Sequence, residues 1–334
     1  MTEETTGRKT VPDTAIIGIP ARWLAATSQS FTLHRRRPET QVEEREVERV
    51  VTRAGKLALQ QITARRTGNA APLTVVDASL VALTVDGHRV TDPVNFRGGE
   101  LGATVCATVA LDEDLSTLRV LAEALELEPP RLVADPPAVA RQLGGDGIVL
   151  DVGGASTAIY LTRYGKLLAS DTLPLGGDGF IRSLAAVFKL TGRQVKALRR
   201  AYEKDLLSAE DTAQVQAALR DTVQSWLRAV EDCLGRMAGA DDLPHQIHLS
   251  GGGSLWPDVL NAARVHPWMQ NLHFIRYPQV QRLDPVQFPN PINDTGRLWD
   301  VEETVALSLA CWPRRSGEGP VERALAALER EVLE

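Results

Sequence analysis

The sequence predicts an α/β protein built as two domains, and three observations carry that reading. At 334 residues the chain is longer than one ordinary domain. Strand-like and helix-like runs alternate along it, and from Gly147 the alternation restarts with new content. Hydrophobic residues make up 43% and charged residues 24%, the balance of a globular chain able to bury a core.

After a polar leader over residues 1–13, DTAIIGIP reads as a short buried strand ending at Pro20. In QVEEREVERVVTRAGKLALQQI, Val47, Val50, Val51, Ala54, Leu57 and Ala58 recur at helical spacing and define one buried face. PLTVVDASLVALTVDGHRV is strand-like, with Asp86-Gly87 as its hairpin turn, and ELGATVCATVAL is a further strand. EDLSTLRVLAEALEL is helical, and RLVADPP is a short strand running into a turn.

From Gly147, GIVLDVGGASTAIYLTRYGKLLASD gives two strands around a glycine turn, and LLASDTLPLGG adds a third. GFIRSLAAVFKL and GRQVKALRRAYEKDLL follow as helices. Ser208, with Asp211 three residues on, opens a long helix whose stripe is Val215, Leu219, Val223, Trp226, Val230, Cys233 and Met237. HQIHLSGGGSLWPDVLNAA is a strand, three glycines and a helix with Pro257 in its first turn. A Pro-rich, irregular stretch covers residues 277–295, WDVEETVALSLACW is the last core helix, and a linker from Ser316 leads to a terminal helix, VERALAALEREVLE.

Composition narrows the function. A net charge of −6 argues against a general nucleic-acid binder, and the basic cluster His34-Arg35-Arg36-Arg37 reads as a solvated loop. Cys106, Cys233 and Cys311 lie far apart without metal spacing, as in a reduced cytoplasmic protein. No run is apolar enough to span a bilayer, and MTEETTGRKT lacks a signal core. His245-x-x-His248 in a strand points its two side chains to opposite faces and is structural. Nucleophile elbows and a persuasive Cys/His pair are missing, which sets hydrolase and thiol-protease chemistry aside.

Two glycine turns remain. The first offers Asp151 at a strand end, then Gly153, Gly154, Ser156 and Thr157. It lacks a Walker ending, and a strand rather than a helix follows it, so it is neither a P-loop nor a dinucleotide fingerprint. Amides bared by glycine and two hydroxyls suit phosphate oxygens, with Asp151 meeting Mg²⁺ through water. The same residue types also make ordinary turns. The second turn, Ser250-Gly251-Gly252-Gly253-Ser254, can bare backbone beside a flat ring or simply join strand to helix.

With helices between two such turns, the sequence resembles the actin-like ATPase superfamily, most closely its FtsA/PilM branch. IVLDVGGAST is similar to that family's second phosphate loop and IHLSGGGS to its adenosine loop. LPLGGDGFIRSLA resembles the segment after the third strand, and VDGHRVTDPVNFRGGELGATVCATVA the FtsA-specific insertion. The resemblance implies an actin-like (ribonuclease H-like), two-lobed α/β fold. It implies a partial first lobe over 14–145 with an inserted α/β subdomain at about 22–127, a second lobe over 146–314, and a linker with an acidic helix over 315–334. It also implies ATP with Mg²⁺ as ligand. Asp151, Gly153, Gly154, Ser156 and Thr157 would meet phosphate and metal, Gly251, Gly252 and Gly253 would face adenosine, and Lys196 would lie beside the nucleotide.

The departures temper that expectation. The family's opening phosphate-loop hairpin has no counterpart here, Ala155 and Ala158 replace a glycine and an aspartate, and Arg193 stands where an acid is expected near Lys196. A phosphoryl-transfer site that has lost such positioning groups binds weakly and turns over slowly. The reading is therefore a cytoplasmic scaffold for protein partners of a cell-division or pilus-assembly complex, peripheral to the inner membrane through those partners. It admits a homo-oligomer and needs no nucleic acid or membrane insertion. The alternatives are an ATPase completed by a missing segment or partner, a pilus-assembly ATPase-like protein, and a small-molecule kinase. The terminal helix, acidic and without aromatic anchors, is expected on a partner helix or on its own domain.

Overall fold

The computed structural model describes residues 15–65, 71–127, 131–238, 242–288, 300–313 and 318–333. The polar leader, residues 289–299 of the Pro-rich stretch and Ser316-Gly317 of the linker lie outside them.

β1 (Ile16–Ile19) is the expected short strand. β2 (Leu24–His34) is an addition, because its run of Ser, Thr and Gln hides the strand alternation. Tertiary contact supplies what the pattern lacks. β2 pairs along its whole length with β5 (Glu100–Leu111), and Thr27 and Gln29 both donate to the Gln61 side chain at 2.9 Å. Gln61 belongs to α1 (Glu44–Arg65), which buries Val47, Val50, Val51, Ala54 and Ala58 as its spacing predicts and leaves Leu57 half-buried. The basic cluster needs correction. Arg36 and Arg37 are exposed, but the Arg35 side chain is only 3% exposed, paired at 2.9 Å with Glu46 and donating to the Gly98 carbonyl.

β3 (Leu73–Val85) turns at Asp86-Gly87 into β4 (His88–Val90), and both turn residues have positive φ, as a type I′ hairpin requires. α2 (Asp112–Ala124) and β6 (Arg131–Ala134) follow. The turn expected after β6 is instead helix α3 (Asp135–Leu143), with Pro136 and Pro137 in its first turn, where a missing N–H costs nothing. β7 (Gly147–Val152), β8 (Thr157–Arg163) and β9 (Lys166–Leu173) form the three-strand meander. α4 (Gly177–Phe188), α5 (Gly192–Glu203) and α6 (Ala209–Ala238) come next. Asp211 and Ser208 cap α6 reciprocally, and its stripe is buried from Val215 to Cys233 with Met237 half-buried.

β10 (Gln246–Ser250) leads through a single 3-10 turn to α7 (Pro257–Val265). The stretch expected to be irregular contains β11 (Gln279–Arg282), a parallel strand on β10. α8 (Thr304–Ala310) and α9 (Pro320–Leu328) precede the two-residue β12 (Val332–Leu333), which pairs with β3. α9 packs on its own chain. Ala324, Leu325 and Leu328 enter the core of α1, β3 and β5, and Arg323 pairs with Glu44 and Glu48 of α1.

One ten-stranded sheet runs β11-β10-β7-β8-β9-β2-β5-β3-β12 with β4 on β3, while β1 and β6 form a separate parallel pair. In the long sheet β10, β11 and β7 are parallel and the rest antiparallel. One large core lies between β7, β8, β10 and helices α4 to α7; another lies between β2, β3, β5 and α1 with α9. Among the described residues strand pairing between the two halves is confined to Ala26–Ser170 and Thr27–Ala169, while a smaller core that includes Val81, Cys106, Tyr160 and Leu167 spans both. Cys106 and Cys233 are buried free thiols and Cys311 is half-buried. His248 is buried, and burial pushes its imidazole down to about 4. Among the described residues no helix is long and apolar enough to cross a membrane.

Candidate functional site

The two glycine turns leave the sheet side by side. β7 and β10 are parallel neighbours in a register that sets Asp151 opposite Ser250, so both turns begin at the same strand ends. The carboxyl ends of parallel strands are where open α/β sheets place ligands.

The first turn spends its carbonyls and one amide on its own fold. Gly153 N donates to the Ser156 carbonyl at 2.9 Å, and the carbonyls of Gly153 and Gly154 accept from Gly177 N and Asp178 N at 2.8 Å. The turn thus caps the N-terminus of α4. Gly154 is exposed, with the Asp178 carboxylate beside its Cα; Ser156 is half-buried. Thr157 is fully buried: its hydroxyl donates to the Leu175 carbonyl at 2.7 Å and accepts from Trp226 Nε1 at 2.9 Å. Asp151, Gly153, Gly154 and Ser156 are brought together, and Thr157 points into the core.

In the second turn glycine answers to close packing. Gly251 has φ +77°, and a Cβ there would stand 2.5 Å from Asp151 Oδ1; one on Gly253 would stand 2.8 Å from the Val152 carbonyl. Gly252 lies against the Glu302 carboxylate and is gripped from outside, its carbonyl accepting from Arg199 Nη1 at 3.0 Å. Arg282 donates to the Ser254 and Leu255 carbonyls at 3.1 and 3.0 Å. Arg199 also pairs with Glu203 at 3.2 Å and with Glu302 at 3.7 Å. Burial, the largest influence on Glu203, holds its carboxyl above the usual range against the pull of Arg199 and Arg282. Lys196 lies exposed one helical turn before Arg199, and it is Arg199 that reaches the turn.

A third strand end joins them. Asp135 opens α3 directly after β6, and its Oδ1 is buried without a hydrogen-bond partner. Burial pushes Asp135 up to about 7, with the Asp151 charge adding and Arg22 opposing. Burial pushes Asp151 up to about 6, against the Ser250 hydroxyl beside it. The phenol of fully buried Tyr160 rises too, by burial first and then by both carboxylates, which places its ring in their field. Asp135, Arg199, Arg282 and Glu302 were not singled out from sequence. The i,i+4 spacing of Arg199 and Glu203, and an aspartate closing a strand before Pro-Pro, were the readable signals.

The fit to ATP with Mg²⁺ follows from these donors. Asp135, Asp151, Asp178 and Glu302 lie around the turns, with Arg199 and Arg282 against the second, so the acids attract a cation more than a bare triphosphate. Yet among the described residues no group of three His, Cys, Asp or Glu is placed to hold a metal. An ion here would keep most of its water and be shared with phosphate, as Mg²⁺ commonly is. Asp151 and the orphaned Asp135 Oδ1 are the residues that would meet that hydrated ion.

No family model matches the sequence. The chain is 26% identical over 219 residues to the cell division protein FtsA of Bacillus subtilis, covering 57% of this chain and 49% of that protein. With FtsA of Rhizobium meliloti it is 24% identical over 281 residues, covering 75% and 61%. It therefore spans about half to three-fifths of the length of these relatives. A solved PilM–PilN type IV pilus biogenesis complex superposes with a TM-score of 0.54 at 19% identity, covering 90% of this chain and 80% of that one. The fold is the actin-like one, and the chain is similar to FtsA in sequence and to PilM in structure. The actin-like fold expected from the two glycine loops is the one adopted, and in this FtsA/PilM-like chain the loops stand next to one another on β7 and β10.

Proposed function

We propose that this FtsA/PilM-like chain is a scaffold of a cell-division or pilus-assembly complex, holding protein partners and binding ATP·Mg²⁺ only weakly. The observation that carries the weak-nucleotide reading is Thr157. The hydroxyl that would face phosphate is fully committed to Leu175 and Trp226, and the neighbouring carbonyls cap α4. With the Thr157 hydroxyl and Gly153 N already committed, the turn has fewer donors left for a phosphate. Likeness to FtsA and PilM supports the assembly role.

Calorimetry of ATP·Mg²⁺ on the purified chain tests this, with Asp151→Ala as control. Binding no tighter than the millimolar range is expected, and micromolar binding abolished in Asp151→Ala would sink the proposal. A hydrolytic reading draws on one observation, the Asp135–Asp151 pair ionising near neutral pH, where acid–base groups are effective. Phosphate release over background, lost in Asp135→Asn, would support it instead.

A further inference from the structure

The basic stretch that closes β2 has no part in the two glycine turns, and its first arginine is a piece of architecture. The buried Arg35 guanidinium donates to both Glu46 carboxylate oxygens at 2.9 and 3.0 Å. It also donates to the carbonyls of Thr40, Gln41 and Gly98 at 3.1, 2.9 and 2.8 Å. These bonds tie the loop of residues 36–41 to α1 on one side and to the approach to β5 on the other. The loop is thereby fixed in shape before any ligand arrives.

Loop and helix enclose a cavity of about 700 Å³, into which His34 and Arg36 and Arg37 of the loop face Arg49 of α1, with Thr40 and Gln41 between them. Arg45 and Arg53 lie one turn before and after Arg49 and continue its face along the helix. All five of these arginines are exposed, and among the described residues none has a carboxylate at ion-pair distance. Two acids share the cavity wall. Glu46 is matched by Arg35, which leaves Glu43 alone against the arginines. In a chain whose acids outnumber its bases, 43 to 37, this face is a local reversal of charge. Like charges gathered around one concavity repel each other, and an incoming anion relieves that repulsion.

We propose that this cavity and the arginine stripe of α1 bind an acidic segment of a partner protein. Its carboxylates are taken up by Arg36, Arg37 and Arg49 in the cavity and by Arg45 and Arg53 along the helix. A guanidinium presents paired N–H groups that match the two oxygens of a carboxylate. The concavity favours side chains that reach inward over the plane of a bilayer. Glu39 of the loop and Glu43 of the wall repel an unbroken polyanion such as nucleic acid, and leave room between them for separate carboxylates. The choice of a protein as occupant rests on the scaffold reading above. Micromolar ATP binding would sink that reading without moving the result of the test below.

The probe is a labelled peptide of alternating glutamate and alanine, titrated against the full chain by fluorescence anisotropy at low salt, with hydrogen exchange read over residues 35–41. A peptide with glutamine in place of glutamate is the neutral control. The acidic peptide is expected to bind, to slow exchange in the loop and to weaken as salt is added, while the glutamine peptide does not bind. Arg36→Glu/Arg37→Glu/Arg49→Glu should weaken binding at least about tenfold. The three side chains are exposed, so the variant should fold, and a melt that matches the parent's verifies it. Arg220→Glu/Arg228→Glu, two exposed arginines of α6, makes a comparable change in net charge away from the cavity and should leave binding within about twofold. Equal losses in the two variants would mean attraction to the chain as a whole and overturn the proposal, as would an unprotected loop in the complex. Tighter binding to phosphatidylserine vesicles or to single-stranded DNA through the same three arginines would overturn it in favour of a membrane or a nucleic acid.

Discussion

Thr157 separates two explanations of one residue, because a phosphate ligand and a core hydrogen-bond bridge respond differently to removal. Thr157→Val keeps the shape but leaves Trp226 Nε1 and the Leu175 carbonyl unsatisfied. A loss of about 2 kcal/mol in urea unfolding is expected, with nucleotide affinity unchanged. An affinity loss at unchanged stability would return Thr157 to the phosphate. Asp135 makes its own contribution to pH dependence, beside that of Asp151. Its carboxyl rises from 3.8 to about 7 on folding, so the folded state holds its proton more tightly. The stabilisation is complete below pH 4 and is lost as pH rises through 7. Asp135→Asn should remove that slope and, by denaturant titration at pH 8, exceed the parent by on the order of 2 kcal/mol. A variant less stable than the parent at pH 8 would refute the assignment. From sequence, the identity of the loop residues was legible but the direction of each side chain was not: nothing in GGAST tells that its threonine faces Trp226.

At the scale of elements, α9 is held to α1 by burial and by surface charge in unequal parts. Leu328 is 1% exposed and packs against Gly55, where a side chain would occupy its place. Leu328→Ala should cost about 2–4 kcal/mol. Arg323→Ala, which removes exposed, solvent-screened pairs with Glu44 and Glu48, should cost far less. Thermal melts of both variants check the ratio, and comparable losses would contradict it. Elements with strong periodicity, such as α1, α6 and β5, were plain in the sequence. β2 was not, since its stability comes from β5 and Gln61 rather than from alternation. β11 was hidden among prolines because an edge strand of four residues needs only one neighbour, β10. α3 reads as a turn in the sequence because Pro-Pro breaks a helix everywhere except at its start.

Across the whole molecule, the long sheet is a joint as much as a wall. Two paired positions on each side, Ala26–Ser170 and Thr27–Ala169, and a smaller shared core connect halves that each own a large core. Hydrogen exchange should be faster at that junction than in the β7–β10 or β2–β5 pairings, and uniform protection across the sheet would reject a joint there. The α/β class and the pairing of two glycine loops were visible in the sequence. The meeting of the halves was not, because it rests on contacts between segments more than a hundred residues apart. The docking of α9 and β12 onto α1 and β3 carries that separation further. During synthesis β3 and β5 soon follow to cover one side of α1, but roughly 250 residues must be added before α9 brings Leu328 to Gly55 on the other. At 5–20 residues per second that is on the order of ten to fifty seconds. For that interval the nascent chain shows part of an apolar helix to solvent, so its yield in a cell should depend on chaperone capacity more than its finished stability suggests.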